Sequence, residues 1–397
     1  MQRLQDKYDV IIAGAGPAGT SAAIHLAKKD LRVLLVERSV FPRAKLCGEF
    51  ISPECLTHFD LLGVAGEMLA SKPSEITKTV FYSRRGSRIE VPSRWFRGSI
   101  ALGLSRSAMD DILLQRAGTL GVDILEHATV FDLIREEKVV CGIRARTNTD
   151  EYRLNSSLVI DATGRAGVLV RKATSTNSLH RRHKLVAFKA HITGAQNDPG
   201  ACEIYSYPGG YGGLSGVENG FSNLCFIVEG RHVIDAHSSP DKVIEQIVMR
   251  NQRAAHTLKD AQVASEWLSV SLESFGRRQP GATPGLLAIG DSAAFIDPFT
   301  GSGMLMALES GRLVADVIVR QWNKLEPVKL GEKYAREYRQ TFDARLKVCG
   351  LLRRVAFKPT LAQLAITVCG SSERFRSWLA RATRSNVKEN TAAARPT

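Results

Sequence analysis

The chain has 397 residues, 44% hydrophobic and 24% charged, ordinary values for a soluble globular protein and enough for two domains or one large composite unit. Its seven scattered cysteines contain no C-x-x-C pair, which excludes zinc-finger spacing and a thioredoxin-like couple. Net charge is +14, and from Arg312 onward 18 Lys/Arg stand against 7 Asp/Glu, so 18 − 7 = +11 of it lies in that stretch. Such asymmetry suits an anionic partner (nucleic acid, acidic lipid or an acidic protein) or a solvated helical face.

The N-terminal MQRLQDKYDV has no apolar signal core, and an odd cysteine count points to a reducing cytoplasm. No apolar run approaches the roughly 18–20 residues of a spanning helix, so the expectation is a cytoplasmic protein, or one lying on a membrane surface.

Residues 8–37 read YDVIIAGAGPAGTSAAIHLAKKDLRVLLVE. An apolar strand leads into Gly14, Gly16 and Gly19, spaced G-x-G-x-x-G, with Pro17 and Ala18 between the last two. A helix and a second strand, RVLLV, follow, and Glu37 stands at its end, next to Arg38. This is a complete dinucleotide-binding β-α-β unit. Gly14 permits the tight turn, Gly16 lets backbone approach a pyrophosphate, and Gly19 lets helix pack on strand. The helix N-terminus favours phosphate, and Glu37 can accept ribose hydroxyls. The fingerprint alone does not separate FAD from NAD.

The stretch KLCGEFISPE (45–54) comes next. Ser52-Pro53-Glu54 predicts a helix start with Ser52 at the N-cap and Pro53 at the first helical position. TVFYSRRGSRIEV (79–91) predicts a hairpin, and LGLSRSAMDDILLQRA (102–117) a strand and helix. LVIDATGRAGVLVRK (158–172) is a strand ending at Asp161. KLVAFKAHI, ACEIYSYP and NLCFIVEG read as a sheet, with DKVIEQIVMR as a helix across its back. PGGYGGLSG (208–216) is a hairpin or a substrate-domain turn rather than a second nucleotide fingerprint, because strand-like sequence flanks it. His180 and His183 fall in a basic loop, SLHRRHK, without metal spacing, and no metal site is expected. Finally, GLLAIGDSAAFIDPFTGSGMLMALESG (285–311) runs from a strand through Gly290-Asp291 and a Pro298-to-Gly303 turn into a helix from about Met304.

With that last segment beside the first, the sequence resembles the FAD-dependent oxidoreductases of the p-hydroxybenzoate hydroxylase fold. The resemblance spans residues 8–330. It implies an α/β fold: a Rossmann-type FAD-binding domain, an inserted β-sheet substrate domain and a C-terminal helical tail. It further implies that Asp291 binds the ribityl chain, that the Gly301-Ser302-Gly303-Met304 backbone lies by the flavin pyrimidine edge, and that Arg106 faces the phosphates or ribityl. Asp110 would cap or orient locally. Asp161-Ala-Thr-Gly164 resembles the geranylgeranyl reductases and flavin-dependent halogenases more than the single-component hydroxylases, which carry Asp-Gly there. Geranylgeranyl reductases carry Cys-Gly-Gly where this chain has Cys47-Gly48-Glu49. By that resemblance the loop lies beside the flavin, Gly48 allows close approach, and Arg43 and Lys45 offset phosphate or reduced-flavin charge. Cys47 is then either an inert small hydrophobe or a thiol that tunes or protonates an intermediate; Cys47 and Glu49 are the candidate catalytic residues. EIYSYPGGYGG resembles the Tyr-x-Trp-x-Phe-Pro region of those reductases, so Tyr205, Tyr207 and Tyr211 are candidates to line the substrate pocket, or to pack in a core.

The expected FAD domain is discontinuous, over 1–75, 100–170 and 275–330, with the substrate domain over 76–99 and 171–274. Residues 331–397 form a helical basic region, suited to anionic lipid or an acidic protein, and SNVKENTAAARPT after Arg384 reads as a frayed end. The expected function is FAD-dependent oxidation or reduction of an apolar or aromatic small molecule (isoprenoid, quinone or polyketide-derived), with oxygenation placed ahead of C=C reduction. The reductant is NAD(P)H, direct or through a partner flavin reductase. A halogenase would need a lysine such as Lys72 or Lys78, and its W-x-W-x-I-P signature is absent. A flavin-carrying protein that binds membrane or nucleic acid is the reading from another class; nucleic acid has only the basic tail in its favour.

Overall fold

The computed structural model describes residue 5 and residues 7–96, 100–174, 185–272, 275–281 and 283–384. His180, His183 and the stretch after Arg384 lie outside the described residues.

The strands Lys7–Ala13 and Val33–Val36 are almost wholly buried, as apolar runs covered on both faces must be. They pair in parallel with each other, and Val33–Val36 pairs with Asp123–Leu125. Lys7–Ala13 pairs on its other side with Glu151–Asp161, and the end of that strand pairs with Leu286–Ala288. The antiparallel strands Val139–Arg146 and Thr129–Glu136 complete this first sheet.

The helix Pro17–Ala27 opens with proline in its first turn, where the missing N–H costs nothing. A β-carbon at Gly19 would collide with the Gly14 carbonyl, and Gly14 has φ +107°, so both glycines are required by the backbone. The long helix Gly303–Gln321 packs along Pro17–Ala27. Gly311 brings the two backbones together, and Ser21 Oγ donates to the Leu308 carbonyl at 2.9 Å. Both N-terminal turns, at Pro17-Ala18 and Gly303-Met304, border one cavity.

The second sheet holds Lys78–Tyr82 and Arg88–Pro92, an antiparallel hairpin, together with Leu185–Thr193, Ala201–Tyr207, Gly210–Gly216, Ser222–Glu229, Gln262–Val263 and Leu268–Leu272. Ala201–Tyr207 and Gly210–Gly216 form a second hairpin through the glycine cluster. One face of this sheet packs on short helices, Pro240–Gln246 and Gln252–Thr257 among them, through Tyr205, Tyr207, Phe226 and Val243. A third small sheet joins Phe50–Ile51, Ala101–Gly103 and Ser74–Ile76.

Three helices end the described chain, Pro327–Ala356, Pro359–Gly370 and Glu373–Ala382. No helix among the described residues is long and apolar enough to cross a membrane. One local expectation is corrected. The helix after the CGEF stretch is Glu54–Leu62, capped by Pro53 in helical geometry rather than by Ser52. The Ser52 carbonyl accepts the Cys55 N–H at 2.9 Å, but its side chain makes no cap bond to the first turn.

Candidate active site

A cavity of about 540 Å³ lies between the two large sheets and the last two helices. The turn at Gly14, Gly16, Pro17 and Ala18 forms one part of its wall, with Glu37 and Arg38 beside it. Glu37 accepts the Ala15 N–H at 2.9 Å on one oxygen and the Ser39 N–H at 3.0 Å on the other, which fixes the carboxylate at the mouth of the turn.

Cations gather next to it. Arg106 donates twice to Asp110, at 2.8 and 2.6 Å, and Arg43 adds a third bond to the same carboxylate at 3.0 Å. Burial works against the Arg106 charge, but Asp110 outweighs it and raises the pKa. Lys45 has open surface, yet that surface faces the cavity. Enclosure by protein, reinforced by Arg43, Arg106 and Arg38, lowers its pKa to about 8. Asp291 also lines the cavity; burial raises its pKa, and Arg106 and Arg165 oppose the shift.

The Cys47-Gly48-Glu49 loop crosses the cavity. A β-carbon at Gly48 would meet nothing within 4 Å. Cys47 lines the wall and its Sγ accepts the Glu49 N–H at 3.4 Å, while its carbonyl accepts from Asn223 Nδ2 at 3.1 Å. Glu49 is engaged on both oxygens. Oε1 accepts from Lys189 Nζ at 3.0 Å and from the Arg106 N–H at 2.9 Å; Oε2 lies 2.6 Å from His191 Nε2. Burial raises the Glu49 pKa, but His191 and Lys189 overcome it and hold the carboxyl below its ordinary value. Glu49 is thus a fixed anion that ties the loop to the second sheet.

The far part of the cavity is apolar. Phe81, Tyr211 and Phe299 cluster there, Tyr211 and Phe299 edge to face at 5.2 Å. Tyr211 Oη donates to Asp297 Oδ1 at 2.5 Å, and the Phe299 N–H reaches the same oxygen at 2.9 Å. Tyr205 and Tyr207 do not line the cavity, and this corrects the expectation that all three tyrosines do. Side chains alternate along a strand. Cys202, Ile204 and Ser206 face the cavity; Glu203, Tyr205 and Tyr207 face the helices behind. There Tyr205 Oη donates to Glu203 at 2.7 Å and Tyr207 Oη to the Ile227 carbonyl at 3.1 Å.

Pro298, Gly301, Gly303, Met304 and Gly290 line the cavity, with Gly301 at φ +62°. Ser302 is buried just outside it. Its Oγ donates to the Thr383 carbonyl and accepts from Arg384, both within 3.1 Å, so it ties the turn to the last helix. Asp161 is corrected too. Its carboxylate accepts from Thr163 N–H and Oγ1, Ser292 Oγ, and the Leu169 and Val170 N–H groups, at 2.6–3.0 Å, and it does not reach the cavity. It braces the turn that Ala162, Thr163 and Gly164 present.

Lys72 is exposed, and Lys78 pairs with Glu90 at 3.5 Å on the far face of its strand; neither lines the cavity. The sequence reading missed Lys189, His191, Asp297, and the Ile366 and Leu379 wall contributed by the last helices. A usable signal was present for two of them: Lys189 and His191 alternate in an otherwise apolar strand, on one face. Among the described residues no group of three His, Cys, Asp or Glu side chains is placed to hold a metal.

The residues fit FAD. Two helix N-termini without side-chain caps converge on the cavity, which suits a pyrophosphate and a ring oxygen. Gly16 and Gly48 leave space that a side chain would fill, and four cations stand near Glu37.

Comparison with known proteins agrees with this fit. A family model described as "FAD binding domain" matches residues 7–341. Digeranylgeranylglycerophospholipid reductase of Methanosarcina mazei is 28% identical over 348 residues, covering 85% of this chain and 82% of its own. Among solved structures, a flavin-dependent brominase superposes with a TM-score of 0.80 at 21% identity, over 95% of this chain and 93% of its own. A geranylgeranyl bacteriochlorophyll reductase-like protein of Thermoplasma acidophilum gives 0.72 at 23% identity, over 87% and 85%.

Proposed function

The chain belongs to the FAD binding domain family and is an FAD-dependent oxidoreductase, and on that premise we propose that it reduces a carbon–carbon double bond of an apolar, isoprenoid-like molecule. The observation that carries this reading is the shape of the cavity, which runs from the phosphate-binding turn past the Cys47 loop into a chamber lined by aromatic and aliphatic side chains. The relative named as a lipid reductase over 85% of the chain supports it. On these grounds reduction moves ahead of oxygenation, the reverse of their order from sequence.

Bound FAD would supply hydride chemistry, with electrons from NAD(P)H directly or through a partner reductase. Gly14, Gly16 and the first turn of Pro17–Ala27 would hold the pyrophosphate, Glu37 the adenosine ribose, and Asp291 the ribityl chain. Arg106, Arg43 and Lys45 offset negative charge. The chamber's side chains exclude water and orient the double bond. Of the two candidate catalytic groups, Glu49 is committed to three donors. That leaves the Cys47 thiol as the group that holds a proton at the cavity wall, for the carbon that does not receive hydride; solvent reprotonates it.

Among the described residues, the lysines nearest the Cys47 loop do not favour halogenation. Lys45 sits by Arg38 and Arg43, and Lys189 is paired with Glu49.

The test is product analysis after incubation of holoenzyme with reductant and a polyprenyl substrate, with and without isotopically labelled dioxygen. The reading expects a product gaining two hydrogens under both conditions. A product that carries labelled oxygen, and forms only in its presence, would establish oxygenation instead.

A further inference from the structure

The helix Pro359–Gly370, PTLAQLAITVCG, carries no charge and is apolar on both sides. Its inner face, Ala362, Ala365, Ile366 and Cys369, is cavity wall. Its outer face is not covered by any described part of the chain: Leu361, Leu364 and Val368 are 41–59% exposed. They follow the i, i+3, i+7 spacing of one helical stripe.

The neighbouring helices also carry exposed apolar side chains. Leu351, near the end of Pro327–Ala356, is 60% exposed. On Glu373–Ala382, Phe375 and Trp378 stack on each other at 6.0 Å while remaining open to solvent, and Leu379 and Ala380 on the other side line the cavity. Three successive helices thus turn apolar side chains outward next to the chamber.

Charge frames this patch. Residues 344–372 contain five Lys/Arg and no Asp/Glu. Arg354, Lys358, Arg374 and Arg381, on or next to the same helices, are exposed.

We propose that this face is a docking surface for an anionic lipid bilayer, with Leu361, Leu364, Val368, Phe375 and Trp378 seated among the acyl chains and the four cations on the headgroups. An aromatic residue beside Lys/Arg on an apolar helix face has the composition of interfacial binding. A bilayer is favoured over an acidic protein because exposed large apolar side chains recur on three successive helices, with exposed cations on the same segments. Docking would place the wall of the chamber against the lipid, so that an apolar molecule could pass from the bilayer without crossing water. The proposal concerns where the enzyme sits, and it stands whichever reaction the flavin supports.

The test is flotation of the full-length holoprotein with phosphatidylcholine vesicles and with vesicles containing phosphatidylglycerol, over a range of NaCl concentrations. The expected result is co-flotation with the anionic vesicles that weakens as salt rises. Leu364→Gln with Trp378→Glu is expected to bind roughly tenfold more weakly while keeping the FAD absorbance of the parent. A second variant, Lys358→Gln with Arg374→Gln, is expected to lose the preference for anionic vesicles. Holoprotein that stays at the bottom of the gradient with anionic vesicles at low salt would overturn the proposal. So would equal binding by parent and both variants, or binding to a soluble acidic protein with none to vesicles.

Discussion

Lys189 Nζ lies 3.0 Å from Glu49 Oε1, and this buried bond joins the second sheet to the loop that carries Cys47. The two residues are almost fully enclosed, 3% and 0% exposed, so neither charge has water to fall back on. Lys189→Met would take the charged amine from a buried carboxylate and leave it the Arg106 N–H and the His191 ring. The expected loss is about 3–5 kcal/mol of unfolding free energy, the usual cost of breaking such a pair from one side. Urea denaturation of the holoprotein measures it; a loss within error of zero would mean the pair is not formed.

The same carboxylate sets an acid limit. Its folded pKa is depressed, so its contribution is fully present above the ordinary glutamate range, about 4.3, and is lost as pH falls through the lower folded value. Glu49→Gln is therefore expected to destabilise the protein at pH 7, with the gap to the parent closing below about pH 4. Thermal melts across pH check it.

Lys45 gives a prediction at the alkaline side. Its pKa of about 8 makes it charged below that pH and neutral above it. An anionic pyrophosphate favours the charged form, so FAD affinity of the apoprotein should fall as pH rises through 8. A charge-assisted hydrogen bond is worth about 1.5–3 kcal/mol, so the fall should be roughly tenfold or more. Lys45→Met should show the weaker affinity at every pH and lose the step. Fluorescence titration with FAD distinguishes a step from a flat profile.

Tyr211→Phe removes the hydroxyl that donates to Asp297 Oδ1 and leaves that oxygen with the Phe299 N–H alone. Burial already raises the Asp297 pKa, and loss of the tyrosine donor raises it further. The expected cost is about 1–3 kcal/mol, read by denaturation.

Cys47→Ala separates the two roles of the thiol. The proposed function expects normal FAD content and turnover lower by about 10²-fold, the usual share of a general acid. Unchanged turnover would make Cys47 a packing residue only.

What could be read before the structure was mostly local. Gly14, Gly16, Gly19 and Glu37 lie within one β-α-β unit, so their spacing alone describes their geometry. For Gly290, Asp291 and the Pro298–Met304 turn the legible signal is a family resemblance. The Glu49 anchor was not legible because its partners are 140 and 142 residues away in sequence. The tyrosines were misplaced for a different reason: a strand's alternation shows that Tyr205 and Tyr207 share a face, but not which face meets the cavity. Asp161 looked like a ligand because a motif records that an aspartate is needed, not whether it touches the cofactor or braces the turn that does. The tail read as helical and basic; that its inner faces wall the chamber depends on tertiary packing that periodicity does not encode.

A chain that uses bound flavin to reduce an apolar alkene must pass its electrons to that alkene without oxygen. The most direct measurement is anaerobic stopped-flow mixing of the reduced holoenzyme with a polyprenyl substrate, following return of the oxidised-flavin absorbance. The account predicts that the band returns without oxygen, at a rate that matches turnover and is slowed by Cys47→Ala. A flavin that stays reduced with substrate, and reoxidises only when air is admitted, would contradict it.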